Sequence, residues 1–415
     1  MATTPEQSLV LPFEDARRVV EEHAAGLRPH GRELLELLDS AGRILAEPVS
    51  ADRNLPPFPR ATRDGFAVRA ADVEKVPVRL KLAAEIKAGI VPQNITPLEG
   101  GQAAPIMTGA PVPPGADAVV MEEYTSQAQG EVEISKGIRA GDNIVPTGSE
   151  AKRGERLLSP GTRMDHSAIA VAASVGRAHL LMYEKPTVAI LSTGDEIVDI
   201  EVPPGPTQIR NSNSYSLAAQ VAAAGGEPTL LPVAPDQSLR LRELIADGFE
   251  ADLLLLTGGV SMGKYDLVEQ VLAEFHAEFL LTGALIQPGR PVVFGRVPNE
   301  STQPKYFFGL PGNPVSTMVC FDLFVRPVLE ALTGRSSRKL TFLHAKLKSE
   351  IKTKTGLKRF LPGILSGEFD NAEIELAPWQ GSGDIAAVAR ANAYVVIPPD
   401  RERIEPGEWM PVMLK

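Results

Sequence analysis

Apolar and polar positions change period several times along this chain, and each change predicts a different kind of element. Apolar residues recur at helical spacing through Phe13-Glu14-Asp15-Ala16-Arg17-Arg18-Val19-Val20 and again at Leu34-Leu35-Glu36-Leu37-Leu38, where Asp39-Ser40-Ala41-Gly42 closes the stretch. Asn54-Leu55-Pro56-Pro57-Phe58-Pro59 cannot be helix, because proline has no amide and a fixed φ, so it marks a crossing into another unit. From Val76 the period becomes two. Val78, Leu80 and Leu82 face one way and Arg79 and Lys81 the other, as in a half-buried strand. Further strands are expected at 118–122 and 131–135. Helical spacing returns over 165–175 (Ile169, Ala172, Ala173), so the β-rich stretch reads as an insertion into a helical part.

Residues 186–333 alternate uniformly apolar strands, expected at 186–191, 228–233, 252–256 and 306–310, with helices expected at 214–225, 239–248, 267–276 and 314–332. Strands apolar on both faces imply a mostly parallel sheet covered on both sides, a three-layer α/β domain. Gly334-Arg335-Ser336-Ser337 reads as a linker, followed by short alternating strands such as 342–347 and 393–397. The expected fold is therefore multidomain α/β. A helical part spans 1–50 with 146–183, a β-rich insertion 51–145, the α/β domain 184–333, and a small β-barrel or sheet 334–415.

The chain has 415 residues, enough for two to four domains, and charged residues at 23% with hydrophobic ones at 43% are ordinary globular values. A net charge of -10 argues against a nucleic-acid partner. The single cysteine, Cys320, excludes a disulfide framework, a thiolate zinc site and a Cys-ligated iron–sulfur cluster, and suits a reducing compartment. An early acidic N-terminus is no signal peptide, and the longest aliphatic run, 253–256, is far below the ~18 residues of a membrane span. The expectation is a cytoplasmic protein without a membrane partner.

Candidate chemistry lies at the carboxyl ends of the expected parallel strands, where following loops converge. Three such loops are rich in Gly, Ser and Thr: Ser192-Thr193-Gly194-Asp195-Glu196, Thr257-Gly258-Gly259-Val260-Ser261-Met262-Gly263 and Pro311-Gly312-Asn313-Pro314-Val315-Ser316. Glycines let backbone amides approach an anion, and a helix start adds partial positive charge. One such loop could be a plain tight turn; three on neighbouring strands point to phosphate or oxyanion binding. Neither Walker A nor G-x-G-x-x-G is present. Glu196, Asp236 and Asp266 crowd the same edge, where a bridging Mg²⁺ would prevent repulsion of the anion, although Asp236 and Asp266 taken singly also suit helix capping. Gly259 to Gly263 also matches the nucleophile elbow G-x-S-x-G of a serine esterase using Ser261, but the later histidines, His276 and His344, lie in a helix and past the linker.

Read together, the ordered motifs resemble the MoeA family of molybdopterin molybdenumtransferases, shared with the E domains of gephyrin and its plant counterpart. The resemblance rests on Leu55-Pro56-Pro57-Phe58 with Asp64-Gly65-Phe66-Ala67-Val68, on the run from Ile106-Met107-Thr108-Gly109 to Val119-Val120, on the three loops, on Gln287-Pro288-Gly289-Arg290-Pro291, and on Gly309-Leu310 before the third loop. It implies an elongated homodimer that inserts molybdate into adenylylated molybdopterin and releases AMP with Mg²⁺ as cofactor, with the molybdopterin adenylyltransferase as a further partner. A clustering scaffold without turnover is the alternative within the same resemblance.

Carried over by matching motif, Asp64, Glu196, Asp236 and Asp266 become the functional carboxylates, the last three holding the metal. Thr108, Gly109, Ser192, Thr193, Gly194, Gly258, Gly259, Val260, Ser261, Pro311, Gly312, Asn313 and Pro314 become substrate-binding. The oxyanion itself needs cationic or hydroxyl donors, expected among Arg290, Ser316, Lys358, Arg359 and Ser382. The chain departs from the common pattern at Gln287 and Arg290, where many members have lysines, at Leu357, where an arginine is frequent, and at Arg63.

Overall fold

The computed structural model describes residues 10–259, 267–298, 303–336 and 339–415. Its central sheet has the spatial order Glu227–Leu230, Thr187–Ser192, Leu253–Thr257, Lys305–Leu310, Val293–Val297, Glu278–Leu281. The first four strands are parallel, Val293–Val297 runs antiparallel to them, and Glu278–Leu281 runs antiparallel to Val293–Val297. Successive side chains of a strand point to opposite faces, so each apolar run feeds two cores at once. Val188, Ile190, Leu253, Leu255 and Phe308 join one core; Ala189, Leu191, Leu254, Leu256 and Phe307 join the other. Helix Ser212–Ala223 and the long helix over 314–332 cover the first face, and Ser238–Gly248 and Leu267–Glu274 the second.

The N-terminal part differs from expectation in two ways. The first helix forms, Phe13–Gly26, but its apolar stripe of Phe13, Ala16, Val20 and Ala24 packs into the α/β core. Its Phe13 ring lies 6.1 Å from Phe324 and 5.0 Å from Phe360 of the C-terminal domain. The second expected helix is a strand: Arg32–Glu36 pairs antiparallel with His179–Tyr183. A five-residue apolar run fits either period, and here the long-range partner decides. What remains helical there is His166–Ser174, capped by Asp165, whose Oδ1 accepts from the Ser167 and Ala168 amides at 3.0 and 2.9 Å.

The β-rich part is a six-stranded sheet in which Val78–Leu82 has the expected alternation, with Leu80 buried and Arg79 and Lys81 exposed. In the C-terminal part Lys358–Ser366 pairs with Glu373–Leu376, which pairs with Leu343–Leu347, then Trp409–Leu414, then Ala393–Ile397. That last strand pairs back to Lys358–Ser366, closing a five-stranded barrel.

Candidate functional site

The strands Thr187–Ser192, Leu253–Thr257 and Lys305–Leu310 end in register, Ser192 opposite Thr257 and Thr257 opposite Leu310. Their loops therefore converge on one cavity of about 430 Å³. Ser192, Thr193 and Glu196 line it from the first loop, Gly258 and Gly259 from the second, and Pro311, Gly312, Asn313 and Pro314 from the third. Val260, Ser261 and Asp266 lie outside the described residues. Gly194 sits just behind the wall, its amide donating to the Ala234 carbonyl at 3.2 Å. The second loop needs its glycines. At Gly258 (φ 85°) a Cβ would stand 2.5 Å from the Thr193 carbonyl oxygen, and at Gly259 (φ 60°) 2.7 Å from Thr193 Oγ1.

A fourth wall, Ile209-Arg210-Asn211-Ser212-Asn213, was not singled out by sequence. Asn211 caps helix Ser212–Ala223, its Oδ1 accepting from the Ser214 amide at 3.1 Å and from Ser192 Oγ at 3.0 Å. Asn213 Nδ2 donates to Thr257 Oγ1 at 2.9 Å and to the Gly312 carbonyl at 2.8 Å, tying the second and third loops to that helix. The available signal was the Asn-Ser-Asn-Ser run directly before an Ala-rich helix, a capping sequence. Thr193 Oγ1 and Asn213 Oδ1 are buried with no partner among the described residues. Such an atom costs about 1–3 kcal/mol until something bonds to it, and both belong to residues lining the same cavity.

Of the expected carboxylates, Asp236 and Glu196 lie near each other, with Asp195 added, while Asp266 is outside the described residues. The Asp236 amide donates to Asp195 Oδ1 at 3.1 Å. Burial, then the charges of Asp195 and Glu196, push the Asp236 carboxyl above the usual carboxylate range. Among the described residues no group of three or more His, Cys, Asp or Glu is preassembled to hold a metal ion.

The expected oxyanion donors separate. Arg359 is 5% exposed, with Nε donating to Gln287 Oε1 at 2.8 Å and Nη1 to the Leu357 carbonyl at 3.0 Å. Arg290 is exposed at the end of the same Gln287 loop, whose next residue, Pro291, lines the cavity. Lys358 does not join them: its Nζ pairs with Glu14 and lies 5.0 Å over the Phe13 ring. Neighbouring residues of a strand point opposite ways, and Lys358 and Arg359 accordingly meet different partners, Glu14 and Gln287. Ser316 is 4% exposed, packed inside its helix, and Ser382 contributes a carbonyl that accepts from the Val315 amide at 3.0 Å.

Asp64, Thr108 and Gly109 form a separate corner of the β-rich sheet. The Thr108 amide donates to Asp64 Oδ1 at 2.6 Å and holds that carboxyl below its ordinary range. Gly109, at φ 81°, donates to the Ala61 carbonyl at 2.8 Å. Among the described residues no strand pairing joins this sheet to the α/β sheet, and their apolar cores are separate. No histidine is among the described residues lining the cavity; His276 and His344 are both exposed elsewhere. The esterase reading therefore lacks its base.

Three family models match in order: MoeA N-terminal region (domain I and II) over residues 11–176, probable molybdopterin binding domain over 189–331, and MoeA C-terminal region (domain IV) over 344–415. A molybdopterin molybdenumtransferase of Nostoc sp. is 35% identical, covering 91% of this chain and 87% of the relative. One from Bacillus subtilis is 31% identical, covering 99% and 95%. Two structures of a molybdopterin biosynthesis MoeA protein from Pyrococcus horikoshii share 34% and 28% identity, with TM-scores of 0.71 and 0.78. Each covers 98% of this chain, and 99% and 100% of its own. With loops, cleft and all three regions in the same order, the chain belongs to the MoeA family of molybdopterin molybdenumtransferases.

Proposed function

We propose that this protein inserts molybdate into adenylylated molybdopterin and releases AMP. The observation that carries this reading is the cavity of about 430 Å³, closed by three glycine-bearing loops and a capped helix start and containing two buried polar atoms without partners among the described residues. Thr193, Gly258, Gly259 and the 311–314 loop supply small side chains and amides for phosphate and adenylate. Arg359, held by Gln287 and without a carboxylate partner among the described residues, is the strongest anchor for a doubly charged oxyanion, with Arg290 three residues past Gln287 as a second cation. Mg²⁺ suits the oxygen donors of Glu196, Asp236 and Asp266, where it would neutralise phosphate charge.

Asp64, Thr108 and Gly109 enter the site from a second copy of the chain. A C₂ dimer makes two such composite sites, each with the cleft of one subunit and the Asp64 corner of the other. The molybdopterin adenylyltransferase is the expected source of the substrate. The test is insertion by the purified protein with adenylylated molybdopterin, molybdate and Mg²⁺, scored by reconstitution of a molybdoenzyme. Molybdenum cofactor and AMP in equal amounts are expected. Bound pterin with no AMP released would instead favour a scaffold.

A further inference from the structure

Building on that reading, we propose that Arg210 is the residue by which the cleft selects a diphosphate over a monophosphate. Among the described residues lining the cavity only two are charged, Glu196 and Arg210. They sit on one short ribbon: Ile197–Val198 runs parallel to Ile209–Arg210, Val198 opposite Arg210, and the Ile209 amide donates to the Glu196 carbonyl at 2.9 Å. The cation and the carboxylate are therefore fixed relative to each other by backbone.

The Arg210 guanidinium is held at Nε, with no partner among the described residues at its two Nη groups. Nε donates to the Ile200 carbonyl at 3.0 Å, and among the described residues no carboxylate pairs with the guanidinium. Elsewhere arginines that brace the fold do have such partners, Arg43 with Glu33, Arg177 with Glu47 and Arg326 with Asp322. Arg210 directly precedes Asn211, the cap of the 12-residue helix Ser212–Ala223, and Arg210, Asn211, Ser212 and Asn213 all line the cavity. Thr193, 4% exposed and with Oγ1 unpartnered among the described residues, lines the same cavity.

One phosphate at the helix start meets the amides and Thr193 Oγ1 without needing Arg210. A second, linked phosphate extends toward the wall where the guanidinium can hold two of its oxygens at once. Arg210 then senses the linkage that distinguishes an adenylylated phosphate from its hydrolysis product.

The test uses ADP and AMP as probes, titrated calorimetrically into the full-length protein with Mg²⁺. Wild type should bind ADP about tenfold more tightly than AMP, the effect of one charge-assisted contact at a solvent-facing position. Arg210→Ala should bring the two affinities together by weakening ADP alone, and Arg210→Lys should keep part of the preference. Because Arg210 is exposed, circular dichroism and melting should match wild type. An undiminished ADP preference in Arg210→Ala, or an equal loss for both nucleotides, overturns the proposal alone. Wild type that binds neither nucleotide overturns the adenylate reading of the cleft, and the proposal with it.

Discussion

Around the cleft the loops are cross-tied, Asn213 reaching both Thr257 and Gly312 and Asn211 reaching Ser192, while at the Asp64 corner one amide, Thr108 N at 2.6 Å, holds an exposed carboxylate. The first arrangement has already met the entropy cost of organising a binding site. The second presents an exposed charge at the edge of its own sheet, met among the described residues only by Thr108. A binding half and a presenting half on one chain make chemical sense when two chains meet.

That contrast can be broken first at the cleft. Gly258→Ala should abolish insertion and lower stability by about 1–3 kcal/mol, because a left-handed backbone and the nearby Thr193 carbonyl both resist a Cβ. Urea unfolding and the insertion assay check the two effects together; a stable, active variant would mean the loop is not held as described. Asp64→Ala should lose activity as completely, yet leave the urea unfolding midpoint close to wild type, since it sits in solvent. The depressed Asp64 carboxyl favours the folded state above the unfolded carboxylate value and loses that contribution as pH falls through its folded value. Its carbon-13 titration should accordingly shift upward in a variant that removes the Thr108 amide contact.

Thr193→Val sharpens the contrast more gently. Its hydroxyl has no partner among the described residues, so the fold should lose little, whereas ADP affinity should fall about tenfold because the ligand loses a buried hydrogen bond. Unchanged affinity with lowered melting would make Thr193 a structural residue. The smallest effect concerns Asp236. Its raised carboxyl means the folded state disfavours its ionisation, so stability declines as pH rises from the unfolded value through the folded one. Mg²⁺ should pull that titration downward, and a titration indifferent to Mg²⁺ would remove Asp236 from the cation site.

Much of this was legible in the sequence because it depended on local signals. Uniformly apolar strands ending in Gly-rich turns placed the three loops, and the period-2 run at Val78 placed its strand. Features set by distant partners were not legible. Leu34 to Leu38 read as helix because nothing local reveals His179–Tyr183 across the sheet, and Phe13–Gly26 gave no hint that its stripe packs against Phe324 and Phe360. Lys358 looked equivalent to Arg359 until strand alternation sent one to Glu14 and the other to Gln287. Asn211 and Asn213 carry only a local capping signal, and nothing local reveals that the cap itself forms the cleft wall.

Subunit complementation tests most directly whether the cleft and the Asp64 corner act across two chains, as proposed. Asp64→Ala and Glu196→Ala chains, each inactive alone, are to be combined through two different affinity tags and the heterodimer isolated. One of its two composite sites would then carry both intact residues, so the account predicts about half the wild-type insertion rate per heterodimer. Verified heterodimers with no activity above that of the parent variants would contradict it.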